Sequence, residues 1–337
     1  ELGGKPLFFD LGKTYRDKGE TRSETLRLPY LSGGHKLGRD SIRIDIRKLE
    51  QGLRNPIKYT CQNGLGIFRD ARESQEEWLR EFKMSPLDRA SIRMLSNQEV
   101  DWREQLPLSS PLFTDYAALE IESDRANMNE SMRALSIRPD ELFSVVLTPD
   151  VEGVRELASG VFEHPSIKIS KGEGGEIELI GPVNNLSRRG LVHMGKGLFP
   201  DIFKSWPSFL VLQALSSDLV DERSLILIQQ EDVKLEPTFD WKLPLIDIVR
   251  YVEGVKSQIS IALPQLAEAI LFEDRASFEK EVHALYDESS WLSRDPYLLW
   301  LFFDAPSFLS QVDYDEISQS IKGYFSHFIS WIEGDDE

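Results

Sequence analysis

Apolar residues along this chain recur in two rhythms, and the switches between them mark out its elements. Short apolar runs or alternation predict strands at residues 7–9 (Leu-Phe-Phe), 25–31, 142–147 (Leu-Phe-Ser-Val-Val-Leu) and 225–228 (Leu-Ile-Leu-Ile). Between Ile167 and Ile180 the alternation is interrupted by Lys171-Gly-Glu-Gly-Gly175, which predicts a hairpin. Elsewhere the period is helical. Ile42, Ile46, Leu49 and Leu53 lie at i, i+4, i+7 and i+11, one helix face that Gly52 is placed to end. Helices are also expected over Val151–Phe162, over 198–220 with breaks at Pro200 and Pro207, over 244–256, and from 263 onward. Gln258–Ala262 is a further strand candidate. Residues 70–135 look mainly helical, charged and irregular, with Trp78 and Trp102 as anchors.

The order of these elements implies an α/β protein. We expect a mixed sheet with antiparallel strands over residues 1–265, a helical insertion at about 70–135, and a helical C-terminal region over 266–337. That last region holds Trp291, Trp300, Trp331 and the run Tyr297–Phe303, an aromatic density that fits a helical core, part of which could face a partner. No internal repeat or low-complexity linker is visible.

Composition and charge narrow the class. With 337 residues, 41% of them hydrophobic and 28% charged, the chain has the make-up of a soluble globular protein with a sizeable core. No apolar run reaches the roughly 18 residues of a membrane span, and the N-terminus lacks a secretory layout, so a cytoplasmic protein is expected. Cys61 is the only cysteine, which removes internal disulfides and multi-cysteine metal sites and suggests a small buried side chain. A net charge of −18 argues against general nucleic-acid binding. The charge is uneven: residues 1–60 carry 13 Lys+Arg against 8 Asp+Glu, and residues 271–337 carry 4 against 15. Such polarity suits oriented association with another chain.

Candidate chemistry is concentrated in four segments. Residues 225–237 read Leu-Ile-Leu-Ile-Gln-Gln-Glu-Asp-Val-Lys-Leu-Glu-Pro, an apolar strand running into a polar corner. Gly33-Gly34-His35-Lys36-Leu37-Gly38-Arg39-Asp40 fits the phosphate-loop frame GxxxxGK[ST], with Arg39 for the Lys and Asp40 for the hydroxyl residue. Leu191-Val-His-Met-Gly195-Lys196-Gly197 is a two-glycine turn before a helix, and Gln258–Gln265 is the strand candidate that follows. Together these resemble, in order, the phosphate loop, signature, Walker B and final strand of ABC-type ATPases related to the OLD and SMC proteins. The usual Walker B form there is close to LLLIEEPEIHLHP, with Leu235 and Pro237 in register.

The resemblance implies a nucleotide site at Gly33, Gly34, Gly38, Arg39, Asp40, Gly195, Lys196, Gly197, Gln229 and Gln230, with Gly33–Asp40 beside Gln229 at the carboxyl edge of one sheet. It also implies that the site is vestigial. Gln229 and Gln230 stand where an Asp and a Glu would position Mg²⁺ and water, and an amide supplies neither charge nor a general base. Asp40 would repel phosphate, Lys196 replaces a small Ser, and no His follows the strand at 258–262. The expectation is therefore a pseudo-ATPase scaffold or regulatory subunit, with no catalytic residues, no metal and no cofactor beyond a doubtful ATP/Mg²⁺. Its protein partner would be held through the ATPase-dimer face or the C-terminal helices. The family implies a DNA-handling or antiviral defence setting. Two rivals stay open. One is an atypical ATPase using Glu231 or Asp232; the other is a Mg²⁺-dependent PD-(D/E)xK nuclease built on Pro200-Asp201 and Asp232-Val233-Lys234. His35, His164, His193, His283 and His327 show no zinc-ligand spacing.

Overall fold

Strand pairing decides where several of the elements begin and end. The computed structural model describes residues 8–17, 20–29, 31, 36–38, 40–68, 126, 130–171, 174–194, 198–228, 233–235, 240–287, 290, 295–302 and 304–333. Two compact units are present, residues 72–141 and the remainder of the chain. Of the first, the described part is mainly residues 130–141, where Met132 and Ile137 are buried and Arg138 pairs with Glu141 at 2.8 Å. The helical expectation over 70–135, with Trp78 and Trp102, lies mostly outside the described residues.

The larger unit opens with a two-stranded antiparallel ribbon, β1 (Phe8–Asp17) and β2 (Glu20–Pro29). Its main sheet has nine strands: β3 (Ile42–Asp45), β4 (Phe143–Thr148), β5 (Arg155–Ala158), β6 (Val161–Pro165), β7 (Ile167–Ser170), β8 (Glu176–Ser187), β9 (Gly190–Met194), β10 (Ser224–Ile228) and β11 (Val233–Leu235). The protein is thus mixed α/β. β8 is the hub: its first half pairs with β7 and β3, and its second half, from Gly181 with its positive φ onward, pairs with β4 and β9. The expected hairpin is present in register, Ile167 opposite Leu179 and Ile169 opposite Ile177.

Two expected helices are corrected. Ile42–Asp45 is a strand, because β8 offers a parallel partner that takes its backbone hydrogen bonds, and the helix begins only after Asp45. The Asp45 carboxylate caps that helix, α1 (Ile46–Arg54), by accepting from the Arg47 N–H. Gly52 does not end it. A Cβ there would lie 2.8 Å from Val252, so the glycine lets the neighbouring helix approach. Val151–Phe162 is likewise no helix but the β5–β6 hairpin, since Asp150, Gly153 and Gly160 adopt positive φ.

The helices after α1 are α2 (Pro56–Tyr59), which runs into a π-turn over Thr60–Gly64, then α3 (Leu198–Leu212) and α4 (Lys242–Val255). Next come α5 (Pro264–Leu271), α6 (Arg275–Leu285), α7 (Pro296–Leu301), α8 (Ala305–Gln311), α9 (Tyr314–Tyr324) and α10 (Ser326–Glu333). α3 runs unbroken through Pro207. Ile259 makes an isolated contact, accepting from the Leu31 N–H at 2.8 Å, instead of leading a full strand.

Residues 266–333 share one hydrophobic core with the sheet. Trp206 stacks on Trp331, and Phe203 packs on Phe325 and Phe328, so α3 is the axle around which the last helices close. Cys61 is buried in that core. The acidic bias of the C-terminal region is partly helix chemistry. Asp274, Asp295, Asp304 and Asp313 each cap the start of a helix with their carboxylates. No described helix is long and apolar enough to cross a membrane.

Candidate functional site

β9 and β10 are parallel neighbours whose last paired residues are Met194 and Ile228. The chain crosses between them through α3, so Met194 and Ile228 end side by side in one sheet. Gly195, Lys196, Gly197, Gln229 and Gln230 themselves lie outside the described residues, as do Gly33, Gly34 and Arg39. Leu191–Met194, the first half of the signature candidate, is strand and not part of a glycine turn.

The phosphate-loop candidate has a different setting from the expected one. The segment at 33–40 leads into β3 instead of a helix, and β2 before it pairs with β1. The backbone carbonyls of Gly38, at 2.7 Å, and of Asp40 accept from the Lys171 ammonium. A phosphate cradle presents N–H groups to an anion; this stretch presents carbonyl oxygens to a cation. Asp40 is exposed.

The polar groups described at the β9–β10 edge form a connected row. α3 is apolar on most of its surface, with Ile202, Phe203, Trp206, Phe209 and Leu210 buried, and it places Asp201, Lys204, Ser205 and Ser208 on the remaining stripe at i, i+3, i+4 and i+7. His193, near the end of β9, faces that stripe: its Nδ1 lies 2.6 Å from the Ser205 hydroxyl and its Nε2 3.3 Å from Asp201 Oδ1. The Lys204 ammonium sits 2.7 Å from the same Asp201 oxygen. One turn on, the Ser208 hydroxyl donates to the carboxylate of Glu50 on α1 at 2.5 Å. Burial pushes the Glu50 carboxyl above its ordinary range, against the Ser208 hydrogen bond and the charge of Arg54.

A hydroxyl, an imidazole and a carboxylate in line have the makings of a nucleophilic relay. Here the geometry opposes it. Ser205 is 5% exposed, and its Oγ donates to the Asp201 carbonyl of its own helix at 2.8 Å. The row acts as a lock, fastening α3 to β9 and α1 through groups that satisfy one another.

The nuclease letters fare no better as a metal site. Asp201 lies in a helix, not a strand, and Lys204 already places a positive charge on its carboxylate. Lys234 is on β11, antiparallel to β10, and Asp232 lies outside the described residues. Among the described residues, no group of three His, Cys, Asp or Glu side chains is arranged to hold a metal ion.

Sequence reasoning singled out His193 and Asp201 only as letters of other motifs, and did not single out Glu50, Ser205 or Ser208. The signal was available: four polar residues at helical spacing inside an otherwise apolar helix require a polar counterpart across the interface. Comparison with protein-family models and with curated proteins finds no match to this chain.

Proposed function

We propose that this chain is a scaffold or regulatory subunit of a multi-protein complex, with an ABC-ATPase-like core that does not hydrolyse nucleotide by itself. The observation that carries the reading is the chemistry of the β9–β10 edge. In sequence, the buried residues Leu225–Leu227 run on into Gln229 and Gln230, amides where the resemblance calls for carboxylates, and among the described residues the charged groups Asp201, Lys204 and Glu50 are engaged with one another or with Ser208. On this reading apolar packing keeps the strand–helix frame, while the described charged groups beside it are paired internally. A DNA-handling or antiviral defence setting follows from the resemblance alone.

Calorimetric titration with ATP and Mg²⁺, together with steady-state phosphate release, tests the reading. The expected result is no phosphate release above a denatured-protein control and a stable complex with a second gene product from the native host. Sustained release would establish an atypical ATPase. Mg²⁺-dependent DNA cleavage abolished by Lys234→Ala would establish the nuclease. Either outcome overturns the scaffold.

A further inference from the structure

We infer that the outer face of α1 and α2 is a docking surface for the phosphate backbone of a nucleic acid, read without regard to sequence. Residues 42–58 contain five cations, Arg43, Arg47, Lys48, Arg54 and Lys58, and two carboxylates, Asp45 and Glu50. Folding separates them. All five cations are exposed, whereas Glu50 turns inward to Ser208 and Asp45 is held by Arg47 at 2.5 Å. Arg43 is paired with Glu178, but Lys48, Arg54 and Lys58 form no ion pair or hydrogen bond through their side chains with any described residue.

The elements packed against these helices include β3, β8, α3, α4 and α7; most of the carboxylates they carry are already engaged, and the exposed Glu176 of β8 is the exception. Glu178 of β8 binds Arg43 and Ser166; Asp201 of α3 binds Lys204. Glu253 of α4 binds Lys256 and Asp247 binds Arg250, while Asp295 at the start of α7 accepts from Asn55 and two backbone N–H groups. The stripe of Arg47, Gln51 and Arg54 follows one side of α1 at i, i+4 and i+7, a rise of about 10 Å, comparable with about three successive phosphates of one duplex strand.

The same face lacks what a protein partner would require. Protein interfaces are anchored by aromatic or aliphatic side chains in a desolvated centre. The large apolar residues most exposed among the described residues are Phe68, Leu157 and Leu243, none of them on α1 or α2. With five exposed cations, three of them (Lys48, Arg54 and Lys58) without an ion pair among the described residues, and with no exposed apolar anchor described on these helices, the surface matches the phosphate contacts that give non-specific nucleic-acid binding. The net charge of −18 does not cancel it, because at about 0.1 M salt charges more than about 10 Å away are largely screened, whereas direct phosphate contacts are not. The inference is independent of the ATPase-like reading, which makes no use of the cations Lys48, Arg54 and Lys58.

Fluorescence anisotropy with the full chain tests it, using a fluorescein-labelled 20-nucleotide single strand, the corresponding duplex, and poly-glutamate as competitor. Expected is saturable binding of at least one DNA form at about 50 mM salt that weakens steeply by about 200 mM. The K48Q/R54Q/K58Q variant should bind about tenfold or more weakly, with a salt slope reduced by about one per residue changed. Its circular dichroism and Tm should match the parent, which isolates the charge effect from folding. The inference is overturned if neither DNA form binds at the lower salt, if the variant binds as the parent does, or if poly-glutamate displaces DNA as effectively as unlabelled DNA does.

Discussion

The two sides of α1 use the same kinds of residue for opposite ends. On the inner side, Leu49 and Gly52 pack tightly and Glu50 meets Ser208 of α3, the helix whose Asp201, Lys204 and Ser205 also engage His193. On the outer side, Arg47, Lys48 and Arg54 stand in solvent, and among the described residues Arg47 alone of the three is in an ion pair. A charged group is spent where burial forces it to find a partner and remains available where water already solvates it. Charge alone is therefore a poor guide to a functional surface; what separates the two sides is satisfaction.

Substitutions can break this contrast, beginning with the inner side. Leu49→Ala removes a fully buried side chain from the core under α1 and should cost about 4 kcal/mol in denaturant unfolding. Asp201→Ala leaves Lys204 and His193 facing a lost carboxylate and should cost about 3 kcal/mol, more than Lys204→Ala, because Lys204 is the more exposed partner. Gly52→Ala places a methyl group 2.8 Å from Val252 and should cost about 2 kcal/mol by forcing α1 and α4 apart.

Glu50 sharpens the comparison through pH. Its folded pKa is raised by burial, so the unfolded chain loses this proton first as pH rises. Glu50 therefore lowers stability progressively from the ordinary carboxylate range up to its raised folded value, and by a constant amount above that. The difference in unfolding free energy between Glu50→Gln and the parent should shift in favour of the variant across that window and stay flat on either side. Urea titrations at a series of pH values measure it; an unchanging difference would mean Glu50 is not protonated preferentially in the fold. The smallest effect belongs to the outer side, where K48Q/R54Q/K58Q should change stability by no more than about 0.5 kcal/mol.

Much of the scaffold was legible along the chain. The β7–β8 hairpin, β4, β10 and α4 follow from apolar periods that leave little choice of element. The aromatic C-terminal helices are core, as their density suggested: Tyr297, Leu298, Leu301, Phe302 and Phe328 are buried. The candidate site was less legible. Gly38 and Asp40 spell a phosphate loop, yet their carbonyls face Lys171, and letters cannot reveal which way a peptide points. The spacing of Ser205 and Ser208 with Asp201 and Lys204 signals a polar stripe on α3, but its partners, His193 and Glu50, emerge only in the fold.

What the sequence determined by itself was the set of elements whose hydrophobic period is repeated often enough to bind them to one secondary structure, together with the caps at Asp274, Asp295, Asp304 and Asp313 that end one segment and begin the next. Tertiary structure decided the rest. Ile42–Asp45 carries spacing compatible with a helix but becomes a strand because β8 is there to receive its hydrogen bonds. In the Val151–Phe162 segment, turns at Gly153 and Gly160 open the way to a hairpin, and β4 holds it there by accepting β6 as a parallel neighbour. The fate of Glu50 was settled in the same way, since its burial and pairing depend on Ser208 of a distant helix arriving beside it. Local propensity is a matter of a few tenths of a kcal/mol per residue, and partners from far along the chain outweigh it.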